Sequence, residues 1–195
     1  MRAAEREQFF QNLSKAIPEP ITELQHANTF ELLIAIILSA QTTDAAVNKV
    51  TPSLFGSYPT PQKLAQAEPE EVLTHIKTIG LAPTKAKNIV KTAQQLCERH
   101  QGEIPEDSDA LQALPGVGRK TANILLNTAF GHPVIAVDTH VFRVSNRTGL
   151  ARGKTVEEVE RKLARNVPPN WRKDAHHYLI LQGRYTCKAR KPLCG

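Results

Sequence analysis

The sequence lacks the features that mark a membrane or a secreted protein. Its longest largely apolar run, Phe30 to Leu38, is far shorter than the roughly 20 residues of a membrane-spanning helix. Charged residues follow Met1, and no apolar stretch of the secretory kind comes after them. Three cysteines are an odd number, which argues against a disulfide framework. We therefore expect a cytoplasmic protein with no membrane partner.

Aromatic residues are also scarce, at 5% of 195 residues with a single Trp. Hydrophobic residues nevertheless make up 41% of the chain, enough for one sizeable domain or two small lobes. A core of this kind is packed by Leu, Ile, Val and Ala, and we expect Cys97 to be a small core residue within it.

Apolar residues recur at helical spacing along most of the chain, and the only period-two run, Pro133 to Val137, is too short to found a sheet. The sequence therefore predicts an all-α fold. Start and stop signals place helices near residues 83–100, 119–130, 156–166 and 174–182, and a further helix begins at Glu68 to Glu71. Thr155 and Glu158 are expected to form a capping box, and Gly183 to end the last helix.

Charge is distributed unevenly. Residues 1–138 carry 12 Lys and Arg against 15 Asp and Glu, a net −3, whereas residues 139–195 carry 13 against 4, a net +9. A basic third suggests that a polyanion docks on one face. A solvated basic surface without a partner explains the charge equally well.

The stretch from Leu114 to Asn123 (Leu-Pro-Gly-Val-Gly-Arg-Lys-Thr-Ala-Asn) predicts a tight turn between two helices. Gly116 and Gly118 would permit positive φ angles and a close approach of a docking group to the backbone. Amide groups at the start of the second helix could then bind a phosphate oxygen. Leu114 and Val117 would pack beneath the turn. An ordinary helix–turn–helix corner is the alternative.

A weak internal echo of this turn lies upstream. Ile79-Gly80 followed by Lys85-Ala86-Lys87-Asn88-Ile89 resembles Val117-Gly118 followed by Lys120-Thr121-Ala122-Asn123-Ile124. Two copies do not establish a repeat architecture.

Lys120 and Asp138 are the candidate catalysts. A basic residue in a first helical turn contacts phosphate by default, but a neutral lysine also forms Schiff bases with sugar aldehydes. Asp138 follows an apolar segment at the start of a helix, so a capping role is slightly favoured. The same carboxylate could stabilise a cationic transition state. His140 is expected to be packed or hydrogen-bonded, not catalytic.

Together, these motifs resemble those of the endonuclease III family of bacterial base-excision glycosylases, within the helix–hairpin–helix superfamily. The motifs that carry this resemblance span nearly the whole chain: Leu38 to Asp44, Thr78 to Leu81, Leu114 to Asn123, Val137 to His140 and Gly183 to Cys187.

The resemblance implies two helical lobes with DNA gripped in the cleft between them. Residues 21–132 would form a six-helix barrel that contains the helix–hairpin–helix, at about residues 108–130. Residues 1–20 and 133–195 would form the second lobe, which in the family carries an iron–sulfur loop.

The resemblance also assigns roles to individual residues. Lys120 matches the Schiff-base nucleophile and Asp138 the essential aspartate. Gln41 matches the residue that fills the hole left by an extruded base, and Leu81 the wedge that presses on the opposite strand. Further DNA contacts are expected at Gly116, Val117, Gly118, Arg119 and Thr121. Pocket-lining positions are expected at Ser39, Asp44 and His140.

The implied activity is that of a bifunctional DNA N-glycosylase and AP lyase. It would remove oxidised pyrimidines through a Schiff base and nick the strand 3′ to the abasic site by β-elimination. The expected partner is double-stranded DNA with damaged pyrimidines or abasic sites, bound by a monomer associated with the nucleoid.

The sequence departs from the family at its cysteines. The family holds a 4Fe–4S cluster with the spacing C-x6-C-x2-C-x5-C, and Cys187 and Cys194 reproduce only the first interval. Two thiolates cannot hold such a cluster. We therefore expect that the 195 residues do not bind it as written. Either the chain is truncated before the full loop or the natural protein lacks the cluster, and the retained C-x6-C interval favours truncation.

Two other functions remain as alternatives. An adenine-removing mismatch glycosylase shares the fold but lacks the Schiff-base lysine, so Lys120 argues against it. A non-catalytic helix–hairpin–helix module fits the basic region equally well, but it would leave Lys120 and Asp138 together as a coincidence.

Overall fold

A computed structural model describes residues 1–193. Over this range every regular element is helical and no strand is present, which confirms the all-α prediction. The α-helices are α1 (Ala3–Ala16), α2 (Thr29–Ser39), α3 (Asp44–Ser57), α4 (Pro61–Ala65), α5 (Pro69–Ile76), α6 (Ala82–His100), α7 (Ser108–Gln112), α8 (Arg119–Phe130), α9 (Thr139–Thr148), α10 (Val156–Asn166) and α11 (Ala175–Leu181). A 3₁₀ turn covers Pro169–Trp171 and a π-helical turn covers Gln182–Thr186. None of the helices within residues 1–193 has the length and apolar character needed to cross a membrane.

The helices form two compact units. One runs from Glu23 to Phe130 and is called the central unit. The other, called the terminal unit, combines Met1–Thr22 with the chain from Gly131 onward. Each unit has its own buried core.

Helix α2 lies at the middle of the central unit. It begins at Asn28, whose side chain accepts a hydrogen bond from the amide of Glu31 (2.9 Å). Every residue from Leu32 to Leu38 is buried, because α3, α6 and α8 all pack around the helix. A helix enclosed in this way holds its C-terminal end, and the turn that follows, in a fixed position.

Helix α6 is the longest element of the central unit, at 19 residues. Its apolar face, which includes Ile89, Ala93 and Leu96, is buried, and it packs against α2, α4 and α5. Both of its ends are marked by left-handed residues, Leu81 before it and Gln101 after it. The helix therefore begins and ends abruptly.

The single Trp organises the terminal unit. The ring of Trp171 stacks on Phe10, with centroids 6.0 Å apart, and its Nε1 donates to Glu7 Oε1 (2.8 Å). Tyr178 of α11 meets the same two rings edge-on. These contacts join α1 to the C-terminal helices in one core.

The predicted end of the last helix is wrong. Gly183 does not stop the chain but lies within the π-helical turn that continues α11 to Thr186. The glycine is needed for packing, since a Cβ at this position would lie 2.7 Å from His140 Cβ. Arg143 also donates to the Gly183 carbonyl (2.8 Å), which stabilises the widened turn.

Two smaller predictions also need correction. Thr155 caps α10 by accepting from the amide of Glu158 (3.2 Å), but the Glu158 carboxylate accepts from the amide of Lys154 (2.9 Å) and not from that of Thr155. The predicted capping box is therefore only half formed. Cys97 is half-buried, not a core residue, and burial raises the pKa of its thiol.

Candidate functional site

The stretch from Leu114 to Asn123 joins two helices, as its glycines predict. Asp107 begins α7 by accepting from the amide of Ala110 (2.8 Å), and α8 follows the turn. Leu114 and Val117 are buried, and the amide of Val117 donates to the Leu114 carbonyl (3.1 Å). The turn is thus anchored from below by its apolar residues.

The two glycines of this turn differ, whereas positive φ was expected of both. Gly116 has φ +79°, and a Cβ there would lie 3.0 Å from Asn88 Nδ2 and 3.3 Å from Ile37 Cγ2. Gly118 is not among the residues with positive φ, and a Cβ there would meet no atom within 4 Å. The fold itself requires Gly116. Gly118 leaves an exposed opening beside the backbone instead.

The opening lies at the N-terminus of α8. The amides in the first turn of any helix have no acceptor within the helix, and glycine at position 118 has no side chain to cap them. The amide of Ala122 is the first to bond back into the helix, to the Gly118 carbonyl (3.0 Å). This helix end carries partial positive charge and suits an anion.

Lys120 is the second residue of α8 and is exposed, in the central unit. Asp138 belongs to the terminal unit and is half-buried directly before α9. Its Oδ1 accepts from the amide of Val141 (2.7 Å), so Asp138 is the N-cap of that helix. This hydrogen bond from Val141 holds the Asp138 carboxylate in one orientation.

Gln41 and Leu81 share an uncommon backbone conformation. Their φ angles are 54° and 59°, in the left-handed region that residues other than glycine seldom adopt. Gln41 lies just beyond α2 and is exposed. Leu81 is also exposed, at 57%, which excludes the core position that its apolar character alone would suggest. Each turn thus presents its side chain to solvent.

These two turns are neighbours in the central unit. A Cβ on Gly80 would lie 3.8 Å from the carbonyl oxygen of Gln41 and 3.9 Å from Thr42 Oγ1. Lys85 joins them, because its Nζ donates to the Leu38 carbonyl and to Thr42 Oγ1, both at 2.8 Å. Lys85 was not predicted from the sequence as a functional residue. The available signal was a lysine on the apolar face of α6, between Ala82 and Ile89.

The expected pocket residues lie at helix ends. The Ser39 hydroxyl donates to the Ile36 carbonyl (2.8 Å) at the end of α2. Asp44 is the first residue of α3 and is half-buried. In the terminal unit, His140 Nδ1 lies 3.1 Å from Arg143 Nη2. His140 is therefore a hydrogen-bonded residue, as its sequence context suggested.

Cys187 is buried at 5% exposure, and Arg147 Nη1 lies 3.6 Å from its sulfur. Arg143 and Arg147 also donate to the carbonyls of Cys187, Lys188 and Ala189. Cys194 lies outside the described residues. Within residues 1–193, no three His, Cys, Asp or Glu residues come together as metal ligands. The third cysteine, Cys97, lies on α6 of the central unit. Cys187 and Cys194 then supply two thiolates, which do not by themselves fit a four-thiolate cluster.

Comparison with known proteins defines the class. Residues 34–169 match the family model described as "HhH-GPD superfamily base excision DNA repair protein". The chain is 57% identical to endonuclease III of Escherichia coli strain K12 and 56% identical to that of Haemophilus influenzae. Each alignment covers 100% of the chain and 92% of the relative.

A solved structure of a trapped endonuclease III–DNA covalent intermediate matches with a TM-score of 0.92 at 47% identity, over 100% of this chain and 92% of that one. The class is that of the helix–hairpin–helix base-excision repair proteins. The chain belongs to the endonuclease III family. It is accordingly a base-excision repair DNA glycosylase. AP lyase activity is typical of endonuclease III, and the family is known to bind a 4Fe–4S cluster.

Proposed function

We propose that the protein is a bifunctional glycosylase and AP lyase that removes oxidised pyrimidines through a Schiff base on Lys120. The observation that carries this proposal is the exposed Lys120 in the first turn of α8, directly after the glycine hairpin. The relative trapped as a covalent intermediate with DNA supports chemistry of this kind.

We propose that the hairpin binds the phosphate backbone of double-stranded DNA. The opening at Gly118 lets a phosphate approach the first-turn amides of α8, and Arg119 adds charge. Val117 and Thr121 border the same contact. Because phosphate contacts release counterions, affinity should fall as salt rises. The terminal unit supplies further attraction, since it carries 16 basic against 8 acidic residues, a net +8.

Access to the damaged base requires its extrusion from the duplex, which costs a few kcal/mol of stacking and pairing. Gln41 would occupy the vacated space, and Leu81 would press on the opposite strand. The exposure of both side chains on adjacent, left-handed turns supports these roles. Ser39, Asp44 and His140 would line the base pocket.

In the reaction, the Lys120 nitrogen attacks the sugar C1′ and the bond from C1′ to the base breaks. The base leaves with the bonding electron pair and takes up a proton. The Asp138 carboxylate stabilises the positive charge that develops on the sugar. The ring opens to a Schiff base, which acidifies the C2′ proton. Loss of that proton expels the 3′ phosphate, and water releases Lys120 from the nicked product.

We further propose that residues 21–132 form a barrel domain and that residues 1–20 and 133–195 form the second lobe. The protein would act as a monomer on damaged DNA in the nucleoid. In the family's cluster, Cys187 and Cys194 would be two of the four thiolate ligands. No step of the proposed reaction uses the cluster.

Borohydride trapping on abasic duplex DNA tests the proposal. The protein should become covalently attached to DNA, and Lys120→Ala should abolish both the adduct and strand nicking. Lys91→Ala, which removes an exposed lysine of α6, is the matched control and should trap normally. Failure of the unaltered protein to trap would favour the mismatch glycosylase or the non-catalytic module. An adduct that persists in Lys120→Ala would assign the nucleophile to another amine.

A further inference from the structure

Lys85 is a lysine in the interior of the protein. It lies one turn into α6, and only 4% of it is exposed. In the internal echo, Lys85 stands three residues before Asn88, as Lys120 stands three before Asn123. The two lysines have opposite environments, because Lys120 is exposed on α8. A buried ammonium is unfavourable unless it is hydrogen-bonded, so its contacts need an explanation.

The contacts of Lys85 are both to neutral oxygens. Nζ donates to the carbonyl of Leu38 and to Thr42 Oγ1, at 2.8 Å each. Leu38 is in the last turn of α2, where carbonyls lack helical partners and carry partial negative charge. Burial lowers the pKa of Lys85. The end of α2 is the feature that favours the charged form at this position.

The two bonds hold the turn that contains Gln41 from both sides. Leu38 precedes Gln41 by three residues, and Thr42 follows it directly. The main chain of Lys85 holds the other turn, because its amide donates to the Leu81 carbonyl (3.0 Å). One residue therefore links the backbones that carry Gln41 and Leu81.

We propose that Lys85 is a positioning residue for base extrusion, which fixes the spacing of Gln41 and Leu81 so that both enter the duplex together. This inference rests on the proposed roles of those two side chains. Lys85 is buried and does not touch the reacting atoms. Its removal should therefore impair the opening of a paired site more than the chemistry that follows.

The test compares base release under single turnover from two duplexes. In one, a ring-saturated pyrimidine is paired with a purine; in the other, it lies opposite an abasic analogue, where less pairing opposes extrusion. Lys85→Met keeps the length of the side chain and removes the ammonium. It should slow release from the paired duplex about tenfold, but release from the unpaired duplex less than about threefold, because the extrusion cost is smaller there.

Three controls accompany this variant. Lys87→Met, at an exposed lysine of the same helix, should leave the ratio of the two rates unchanged. Thr42→Val removes one acceptor with little change in volume and should shift the ratio in the same direction, which keeps the test decisive if Lys85→Met does not fold. Combined with Leu81→Ala, Lys85→Met should add less than its separate effect, since both act on one step.

Equal losses on the two duplexes, or effects that multiply fully with Leu81→Ala, would overturn the inference and leave Lys85 as a cap of α2 alone. The proposed function has a separate outcome. If the unaltered protein releases no base from either duplex, the glycosylase assignment fails, whatever the Lys85 variant does.

Discussion

The two units of the molecule differ in how they could recognise DNA. The terminal unit has a net charge of +8, whereas the central unit carries 9 basic against 11 acidic residues, a net −2. Yet Gln41, Leu81 and Gly116, which are exposed and for which DNA contacts are proposed, all lie in the central unit. Charge alone would have directed attention to the terminal unit. Phosphate contacts position a protein on the duplex but carry no sequence information, so net charge does not indicate which unit makes the specific contacts.

The units also differ in how their helices hold the neighbouring turns. In the central unit, one face of α6 carries Lys85, Asn88 and Thr92. Lys85 bonds around Gln41, Asn88 packs against Gly116, and Thr92 Oγ1 donates to the Pro115 carbonyl (2.8 Å). In the terminal unit, arginines of α9 bind the carbonyls of residues 183–189. The contacts from α6 are made by one buried lysine and two neutral side chains, whereas those from α9 are made by the guanidinium groups of half-buried Arg143 and exposed Arg147.

Beyond the loss of activity expected for Lys120→Ala, the largest effect is expected at Asp138, in the terminal unit. Asp138→Asn keeps a side chain that can cap α9, but it removes the negative charge. Base release should fall by about 10²–10³-fold, because charge stabilisation in a water-excluded site is a large part of catalysis. Nicking of a pre-formed abasic site should fall less, since no base has to leave. Equal losses in both assays, with an unchanged melting temperature, would mean that Asp138 acts in both steps.

The next largest effect is expected at the two glycines of the hairpin, which both lie in the central unit. Gly116→Ala should destabilise the fold by about 1–3 kcal/mol, because alanine is strained at φ +79° and its Cβ would crowd Asn88. Gly118→Ala should leave stability unchanged or raise it by up to about 1 kcal/mol. Chemical denaturation measures both effects.

The affinity for DNA tests the role of Gly118 separately from its effect on stability. Gly118→Ala should weaken affinity for damaged and undamaged duplexes alike, because its methyl group enters the opening used by the phosphate. An affinity loss restricted to one lesion would instead place Gly118 in the base pocket. Full affinity for every duplex would argue against a phosphate contact at this position.

Thr92 separates the hairpin from the extrusion turns. Thr92→Val removes the hydroxyl that binds the Pro115 carbonyl, and should reduce stability by about 1 kcal/mol. Because the hairpin loses its anchor to α6, affinity should fall for any duplex. The ratio of base release from paired and unpaired lesions should stay the same. A changed ratio would show that the hairpin and the extrusion turns are coupled through α6.

Much of this architecture could be predicted from local signals. The bounds of α8 follow from Gly118 and Gly131, and Asp138 was predicted as a cap from its place after an apolar segment. Lys85, Leu81 and Gly183 could not be placed in this way. The burial of Lys85 depends on the end of α2, 47 residues earlier in the chain, and Gly183 is buried against His140 on another helix. Residue type suggests the opposite environment for Lys85 and Leu81, so only tertiary contacts reveal their positions.

The smallest expected effect is a pH dependence of stability that arises in the terminal unit. His177 is 8% exposed, and burial lowers its pKa from 6.5, against the opposing influence of Asp174. Its ring lies edge-on to that of His176, with centroids 5.1 Å apart. Well above pH 6.5 the side chain is neutral in both the folded and the unfolded state. As the pH falls through 6.5, the unfolded state takes up a proton first, so stability should decrease until the folded state is protonated as well.

The melting temperature of the unaltered protein should therefore drop between pH 7 and pH 5. The melting temperature of His177→Gln should drop less over the same interval. Slopes are compared, not absolute temperatures, because the substitution itself changes packing. His26→Gln, at an exposed histidine of the central unit, should keep the original slope. If His177→Gln keeps it as well, the pH dependence does not originate at this buried ring, and the two units do not differ in this respect.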